Sequence, residues 1–208
     1  MSEARELQAE RIRVLGGLGK AHKTHKAKAS LPDSAGIYTL WAAREPSLID
    51  LGLEDVRTEP PLMTRPLYVG KDTRSVRKRL DKHFSSGDTG HYTLRRTLAS
   101  LLDMESRPRR TGIEHPTPEQ LRTLITNFDL TEADDERLTR WMAENLDVCG
   151  SASRFSPLGD VERAVGAILH PPLDQERSPM WGPNPWREQV KEARLRLRDR
   201  AQAAANAA

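Results

Sequence analysis

Apolar residues recur along the chain at two spacings, which predict short strands and amphipathic helices. Alternation and short apolar runs predict strands over residues 36–41, 67–69 and 147–150. Spacings of three and four predict helices over residues 4–18, 76–84, 92–102, 118–125, 131–146 and 160–170, with a last one beginning at Trp186. The pattern predicts a mixture of helices and strands, but it does not determine how the strands pair.

Turn-rich and charged segments divide the chain into three parts. Residues 1–30 are expected to form an N-terminal helix and a basic arm, because residues 20–28 carry four lysines and two histidines without an acid. Residues 31–178 are expected to form one domain with insertions at 42–64 and 104–145, the first of them outside the core. Residues 179–208 are expected to hold an irregular segment and an Arg-rich helix.

Composition narrows the class of protein. The 208 residues are 37% hydrophobic and 30% charged, with a net charge of +3, which is typical of a soluble domain that contacts nucleic acid only where its cations cluster. A single cysteine, Cys149, excludes an intramolecular disulfide framework. The sequence has no apolar run of about 18 residues and no secretory signal pattern, so we expect a cytoplasmic protein without a membrane segment.

The stretch from Leu67 to Phe84 concentrates groups that can handle a phosphate. Tyr68 lies in a short predicted strand, Lys71 follows in the turn, and Arg79 and His83 lie four residues apart on one helix. A solvated basic helix explains the same charges, because charge runs usually face water. The stretch by itself leaves both interpretations open.

Glu162 is the second notable position. Its neighbours at helical spacing are Val165, Gly166 and Leu169, so its carboxylate shares a face with small and apolar groups. An unpaired buried carboxylate is costly. An ion pair, exposure at the helix start, or a divalent metal would each remove that cost, and Mg²⁺ suits a site with one carboxylate because it keeps its waters.

In combination these residues resemble the GIY-YIG nuclease family, which includes homing endonucleases, some restriction enzymes and the catalytic N-terminal domain of UvrC. The resemblance rests on Gly36-Ile37-Tyr38, on Tyr68-Val69-Gly70-Lys71, on Arg79 with His83, and on Glu162 ahead of Pro-Pro-Leu-Asp. It covers residues 35–174. It implies an α+β fold in which a small three-stranded antiparallel sheet is flanked by helices and carries the site on its surface.

The resemblance also implies roles for the matching residues. Tyr38 and Tyr68 would project from adjacent strands into the site, Arg79 would contact the scissile phosphate, and Glu162 would be the single metal ligand. Lys71 and His83 match positions that are lysine and histidine in some members. His91, in a Gly-His segment, and Asp174, where the family commonly has asparagine, are further candidates.

A mechanism follows from these roles as an expectation. Tyr68 would be the general base, with its pKa lowered by Lys71, and Tyr38 is the second choice. His83 would assist proton transfer or phosphate binding, and Mg²⁺ or Mn²⁺ would be the cofactor. The expected substrate is double-stranded DNA, with backbone contacts from Lys23, Lys26, Arg74, Arg77, Lys78, Arg95 and Arg96.

Two other functions fit the same residues. One is a non-catalytic nucleic-acid-binding or regulatory module on the same fold. The other is a nuclease for RNA or modified DNA, since nothing in the sequence discriminates recognition of a 2′-hydroxyl group. The sequence leaves open whether a protein partner or a second copy of the chain takes part.

Overall fold

The computed structural model of the protein describes residues 3–18, 21–23, 30–53, 61–85, 87, 89–109, 113, 116–174 and 184–207. The helices are α1 (Glu3–Gly17), α2 (Pro46–Asp50), α3 (Val76–His83), α4 (Thr93–Leu101), α5 (Pro118–Thr126), α6 (Glu132–Asn145), α7 (Leu158–Leu169) and α8 (Arg187–Asn206). The strands are β1 (His22–Lys23), β2 (Gly36–Ala42), β3 (Tyr68–Asp72), β4 (Ser106–Arg107), β5 (Asp129–Leu130) and β6 (Leu146–Ala152). Within the described ranges, no helix is long and apolar enough to cross a membrane.

The main sheet has β2 at its centre. Strand β2 pairs antiparallel with β6 on one side and with β3 on the other, and two-residue β1 adds to the outer side of β6. The three predicted strands and their antiparallel sheet are therefore confirmed, and β3 lies at an open edge. Strands β4 and β5 form a separate small ribbon.

Side-chain alternation along β2 and β3 gives the sheet two different faces. Ile37 and Val69 face a small cluster that Val161 and Val165 of α7 complete together with α1. Tyr38 and Leu40 face the larger core, which contains Val76 and Leu80 of α3 and extends to α4, α6 and α8. Both faces of β3 are thus covered, while its outer edge stays near the surface.

Helix starts agree with the caps that the sequence indicates. The hydroxyl of Ser75 accepts a hydrogen bond from the backbone N–H of Lys78 at 3.1 Å and begins α3. Thr131 caps α6 in the same way, accepting from the N–H of Asp134 at 3.3 Å. These caps fix where α3 and α6 begin.

Residues 42–64 do not lie outside the core, so that expectation is wrong for the part that the structure describes. Leu48, Leu51, Leu53 and Leu62 are all buried and belong to the larger core cluster. The leucines of α2 and the turn after it point inward, which offsets the loss of chain entropy in ordering the segment.

Helix α8 packs on the same core. It contacts α4, α5 and β4, and its buried residues recur at spacings of three and four: Val190, Ala193, Leu197 and Ala201. The helix continues to Asn206. An apolar stripe of this length holds the helix against the domain along most of its course.

Candidate active site at the edge of the sheet

The two motif tyrosines lie side by side on one face of the sheet. Leu40 pairs with Tyr68 and Tyr38 pairs with Gly70, so Tyr38 and Tyr68 point to the same face from adjacent strands. Their ring centroids are 6.2 Å apart. The ring of Tyr38 lies over Gly70, where a Cβ atom would come within 2.5 Å of Tyr38 Cζ and 2.6 Å of its Oη. Glycine at this position therefore makes room for the Tyr38 hydroxyl.

Helix α3 supplies the next two groups from one of its faces. The Oη of Tyr38 and the Nε2 of His83 form a buried hydrogen bond of 2.8 Å. The Nδ1 of His83 is buried and has no hydrogen-bond partner among the described residues. The Arg79 guanidinium stands 4.6 Å from the ring centroid of Tyr92, and its buried Nε likewise has no partner there. An arginine donor without a partner can serve a bound phosphate oxygen.

Burial sets the protonation states at this site. It raises the pKa of both Tyr38 and Tyr68 well above the usual range, although the charge of Arg79 acts in the opposite direction. Burial, aided by the charges of Arg79 and Arg95, lowers the pKa of His83 well below the ordinary value. Near neutral pH the tyrosines are therefore protonated and His83 is neutral.

Lys71 and Glu162 form an ion pair on the other side of β3. The strand extends through Lys71 instead of ending at Val69, and alternation turns Lys71 away from the face that carries Tyr68. Its Nζ is 2.5 Å from the Glu162 Oε2 on α7. The prediction that Lys71 lowers the pKa of Tyr68 is therefore wrong: burial raises that pKa, and Lys71 contacts Glu162 instead.

Groups on the two faces of β3 are linked electrostatically. The charge of Glu162 contributes to the raised pKa of both Tyr38 and Tyr68, so the carboxylate is within electrostatic reach of the tyrosines. Glu162 belongs to α7, which packs against β3. The tyrosines, Arg79 and His83 approach from one face, and Glu162 with Lys71 approaches from the other.

The donor set fits a divalent cation held by a single carboxylate. Across the part of the chain that the structure describes, no three His, Cys, Asp or Glu residues come together to form a metal cage. The Glu162 carboxylate, however, already holds a cation, the ammonium group of Lys71, at 2.5 Å. A hard cation such as Mg²⁺ needs one or two protein carboxylates when water and substrate phosphate complete its shell.

Asp174 caps the open edge of β3. Its Oδ2 accepts a hydrogen bond from the Val69 N–H at 3.3 Å, and the N–H of Leu173 donates to the Leu67 carbonyl at 3.0 Å. These contacts satisfy backbone groups that an edge strand would leave exposed. The charge of Asp174 also contributes to the raised pKa of the two tyrosines, so it lies near the site as well as supporting it.

His91 lies beside the candidate site, whereas its neighbour Tyr92 contacts two residues of the site, Arg79 and His83. The exposed His91 side chain contacts Arg109 and lines a separate cavity of about 400 Å³. Tyr92 is 6% exposed, with its ring under the Arg79 guanidinium and 4.9 Å from the ring of His83. Sequence reasoning missed Tyr92, because a tyrosine next to a Gly-His segment carries no distinctive pattern.

A basic groove adjoins Arg79 on the exposed side of α3. Arg74, Lys78 and Lys82 line a cavity of about 620 Å³ together with Arg79 itself, and these four cations outnumber the two carboxylates of the lining, Asp33 and Asp72. Arg77 is turned elsewhere and donates to the Leu31 carbonyl at 2.9 Å. Among the cations expected to contact a nucleic-acid backbone, Arg74 and Lys78 are thus exposed beside the site, whereas Lys26 lies outside the described residues and Lys23 belongs to β1.

Arg95 is not available to nucleic acid, which corrects that expectation. Its side chain is fully buried, with ion-pair contact to Asp135 at 3.1 Å and hydrogen bonds to the His83 carbonyl at 2.6 Å and the Thr89 hydroxyl at 3.0 Å. Helix α4 is buried on nearly every side, so an arginine in it must find internal partners. Arg95 therefore links the end of α3 to α6 and supports His83.

Arg96 is also buried, at 7% exposure. Its terminal nitrogens donate to the Gly90 carbonyl and to the Thr93 hydroxyl, so the expected freely exposed contact is not seen. Its Nε is buried and has no hydrogen-bond partner within the described ranges.

Paired tyrosines on a small antiparallel sheet, an arginine on the following helix and one carboxylate at the strand edge are the arrangement of a nuclease domain. A family model described as the GIY-YIG catalytic domain matches residues 36–196, well over half of the chain. The chain belongs to the GIY-YIG family. No curated protein and no solved structure matches it.

Family membership confirms the resemblance seen in the sequence and the expected α+β fold. It makes the protein a nuclease-type hydrolase whose substrate is nucleic acid, in a family that is generally metal-dependent. The substrate, the metal and the roles of individual residues are matters for proposal.

Proposed function

We propose that the protein is a divalent-metal-dependent endonuclease that hydrolyses phosphodiester bonds of double-stranded DNA. The observation that carries this proposal is that Tyr38 lies beside Tyr68 and is hydrogen-bonded to His83, with Arg79 and Glu162 within electrostatic reach of both tyrosines. The basic groove beside Arg79 supports a polyanionic substrate. Mg²⁺ or Mn²⁺ would bind at Glu162.

Proton transfer is proposed to run through the hydrogen bond between Tyr38 and His83. An ordinary tyrosine with a pKa of about 10 is ionised to roughly one part in a thousand at pH 7, and burial reduces that fraction further. A concerted transfer avoids the phenolate: water gives a proton to the Tyr38 Oη while the Tyr38 proton moves to the neutral His83 Nε2, 2.8 Å away. Tyr38 thus replaces Tyr68 as the first choice for the group next to water.

The remaining groups act on the phosphate. The unpartnered Nε of Arg79 and its terminal nitrogens would donate to non-bridging oxygens, and the guanidinium geometry suits two such bonds at once. Tyr92 holds the guanidinium from one side through a cation–π contact. Tyr68 would order the attacking water or the phosphate. A divalent cation on Glu162 would neutralise negative charge that develops on the leaving oxygen.

Lys71 has a different proposed role from the one that its position in the motif implies. Its ammonium group holds the Glu162 carboxylate and neutralises it, so a metal must displace it or share the carboxylate. This contact also favours a second candidate function, a non-catalytic nucleic-acid-binding module, because a carboxylate satisfied by lysine does not require a metal.

The experiment incubates the protein with supercoiled plasmid, linear duplex and RNA, in Mg²⁺, in Mn²⁺ or in EDTA. We expect nicking of duplex DNA with metal and none in EDTA. Arg79→Ala should lower the rate by about 10²–10³-fold, the usual effect of removing one transition-state donor. Glu162→Gln should abolish metal-dependent cleavage, whereas Glu144→Gln, the same change at an exposed position of α6, should leave it intact.

Each outcome decides between the functions. Normal cleavage by Glu162→Gln would refute the metal assignment. Cleavage of RNA alone would show that RNA, and not duplex DNA, is the substrate. Binding of nucleic acid without cleavage of any substrate in either metal would favour the binding module.

A further inference from the structure

Helix α8 carries a stripe of cations that the catalytic site does not use. Arg187, Lys191, Arg194 and Arg198 recur at intervals of four, three and four residues, which places them along one face of the helix. At 1.5 Å per residue the stripe is about 16 Å long. The buried apolar residues recur on the neighbouring face, which Arg194 adjoins, whereas the side chains of Lys191 and Arg198 are exposed.

The stripe forms one wall of a groove. These four cations line a cavity of about 300 Å³, and Thr126 and Phe128 form the other wall. Glu188 belongs to the lining and is 3.0 Å from the Lys191 ammonium group, but the two side chains are 67% and 55% exposed. Exposed ion pairs contribute little to stability, so a polyanion can take the place of this partner.

Arg194 links the groove to the catalytic centre. Burial lowers the pKa of Arg194, and Tyr68 acts in the opposite direction, so the guanidinium lies within electrostatic reach of the site. Burial, followed by the charges of Arg194 and Arg109, lowers the pKa of Arg96 to about 10, with Asp129 opposing. Arg194 is therefore within electrostatic reach of both Tyr68 and Arg96.

We propose that the α8 groove binds the sugar-phosphate backbone of duplex nucleic acid on one side of the scissile phosphate. The groove beside α3 would hold the other side, so that the duplex crosses the edge of β3. About 16 Å of groove corresponds to roughly five base pairs at 3.4 Å each. Phe128 is only 2% exposed, so the groove lacks an open aromatic on which unpaired bases could stack.

The inference rests on the proposed function, and the test separates the two. A short fluorescein-labelled DNA duplex, and the matching single strand, are titrated in EDTA over a range of salt concentrations, and cleavage is measured separately with Mg²⁺. The test variant is Lys191→Gln/Arg198→Gln, because both side chains are exposed and can be changed without disturbing the core. The control is Arg140→Gln/Arg196→Gln, which removes the same charge from exposed positions outside the groove.

The groove variant should bind the duplex roughly ten-fold or more weakly at about 0.1 M salt, with a salt slope smaller by about two. The control should keep the wild-type slope, and equal melting temperatures would show that both variants fold. Wild-type affinity and slope in the groove variant would overturn the inference while leaving the nuclease intact. An equal loss in the control, or a loss for single strands only, would overturn it as well. A wild-type protein that neither binds nor cleaves the duplex would overturn the proposed function itself.

Discussion

Gly70→Ala tests whether the placement of Tyr38 over β3 is required for activity. The added Cβ would lie 2.5 Å from Tyr38 Cζ, 2.6 Å from its Oη and 2.7 Å from Tyr68 Cε1, all shorter than real Cβ contacts. Tyr38 is only 1% exposed and is hydrogen-bonded to His83, so its ring has little room to move. The methyl group must therefore displace the ring or the strand.

The size of the effect follows from packing and from geometry. Forcing a methyl group into a well-packed core usually costs about 1–3 kcal/mol. Breaking the hydrogen bond from Tyr38 to His83 would add about 1 kcal/mol. A catalytic group misplaced by about 1 Å can lose about 10²-fold in rate, which is about 2.7 kcal/mol, so the loss in kcat should be as large in free energy as the loss in stability.

The assay measures kcat for duplex nicking and the free energy of unfolding of the same variant. Gly16→Ala is the matched control, because a Cβ there meets nothing within 4 Å and the residue lies in α1, where alanine is favourable. In a Tyr38→Ala background the destabilisation by Gly70→Ala should become smaller, since one of the two clashing rings is gone. Wild-type rate and stability for Gly70→Ala would refute the reasoning.

Three further predictions concern the groups around the site. Arg95→Met should destabilise the fold by about 3–5 kcal/mol in urea unfolding, because it leaves the buried Asp135 carboxylate without its cation; a loss below about 1 kcal/mol would contradict this. The pKa of His83 is lowered on folding, so its contribution to stability is complete above about pH 6.5 and is lost as the pH falls toward the folded-state pKa, at up to about 1.4 kcal/mol per pH unit. The free energy of unfolding, measured between about pH 4.5 and 7.5, should lose that slope in His83→Gln. An unchanged slope would contradict this prediction. Tyr92→Leu should lower kcat about ten-fold with little change in KM, because it removes the ring that holds Arg79; wild-type kcat would exclude Tyr92 as a positioning residue.

The order of motif residues predicts the fold because each motif occupies one element of the sheet or its helices. Tyr38 and Tyr68 lie on paired strands, Arg79 and His83 on one face of α3, and Glu162 on α7, as the resemblance implies. Spacing within a helix or strand converts directly into a shared face, so these placements could be read from the sequence.

The contacts that determine chemistry could not be read in this way. Extending β3 past Val69 places Lys71 within the strand and turns it toward Glu162 rather than Tyr68. Strand ends are the least certain part of such a prediction, and a residue that is assigned to a turn instead of the strand is given no face of the sheet. The expectation that Arg95 contacts nucleic acid was wrong for another reason. An isolated sequence gives no sign that Asp135, forty residues away, can neutralise a buried arginine.

The position of the site at a strand edge explains why it draws on both faces of the sheet. In the proposed mechanism, burial keeps His83 neutral as a proton acceptor and strengthens the charge of Arg79. The proposed metal ligand, Glu162, belongs to the other face, and its side chain is 17% exposed. A buried proton relay and a partly exposed carboxylate would then act on one phosphate from the two faces of β3. Position 70 of β3 must be a glycine, because any side chain at this position would fill the space in which the Tyr38 hydroxyl lies.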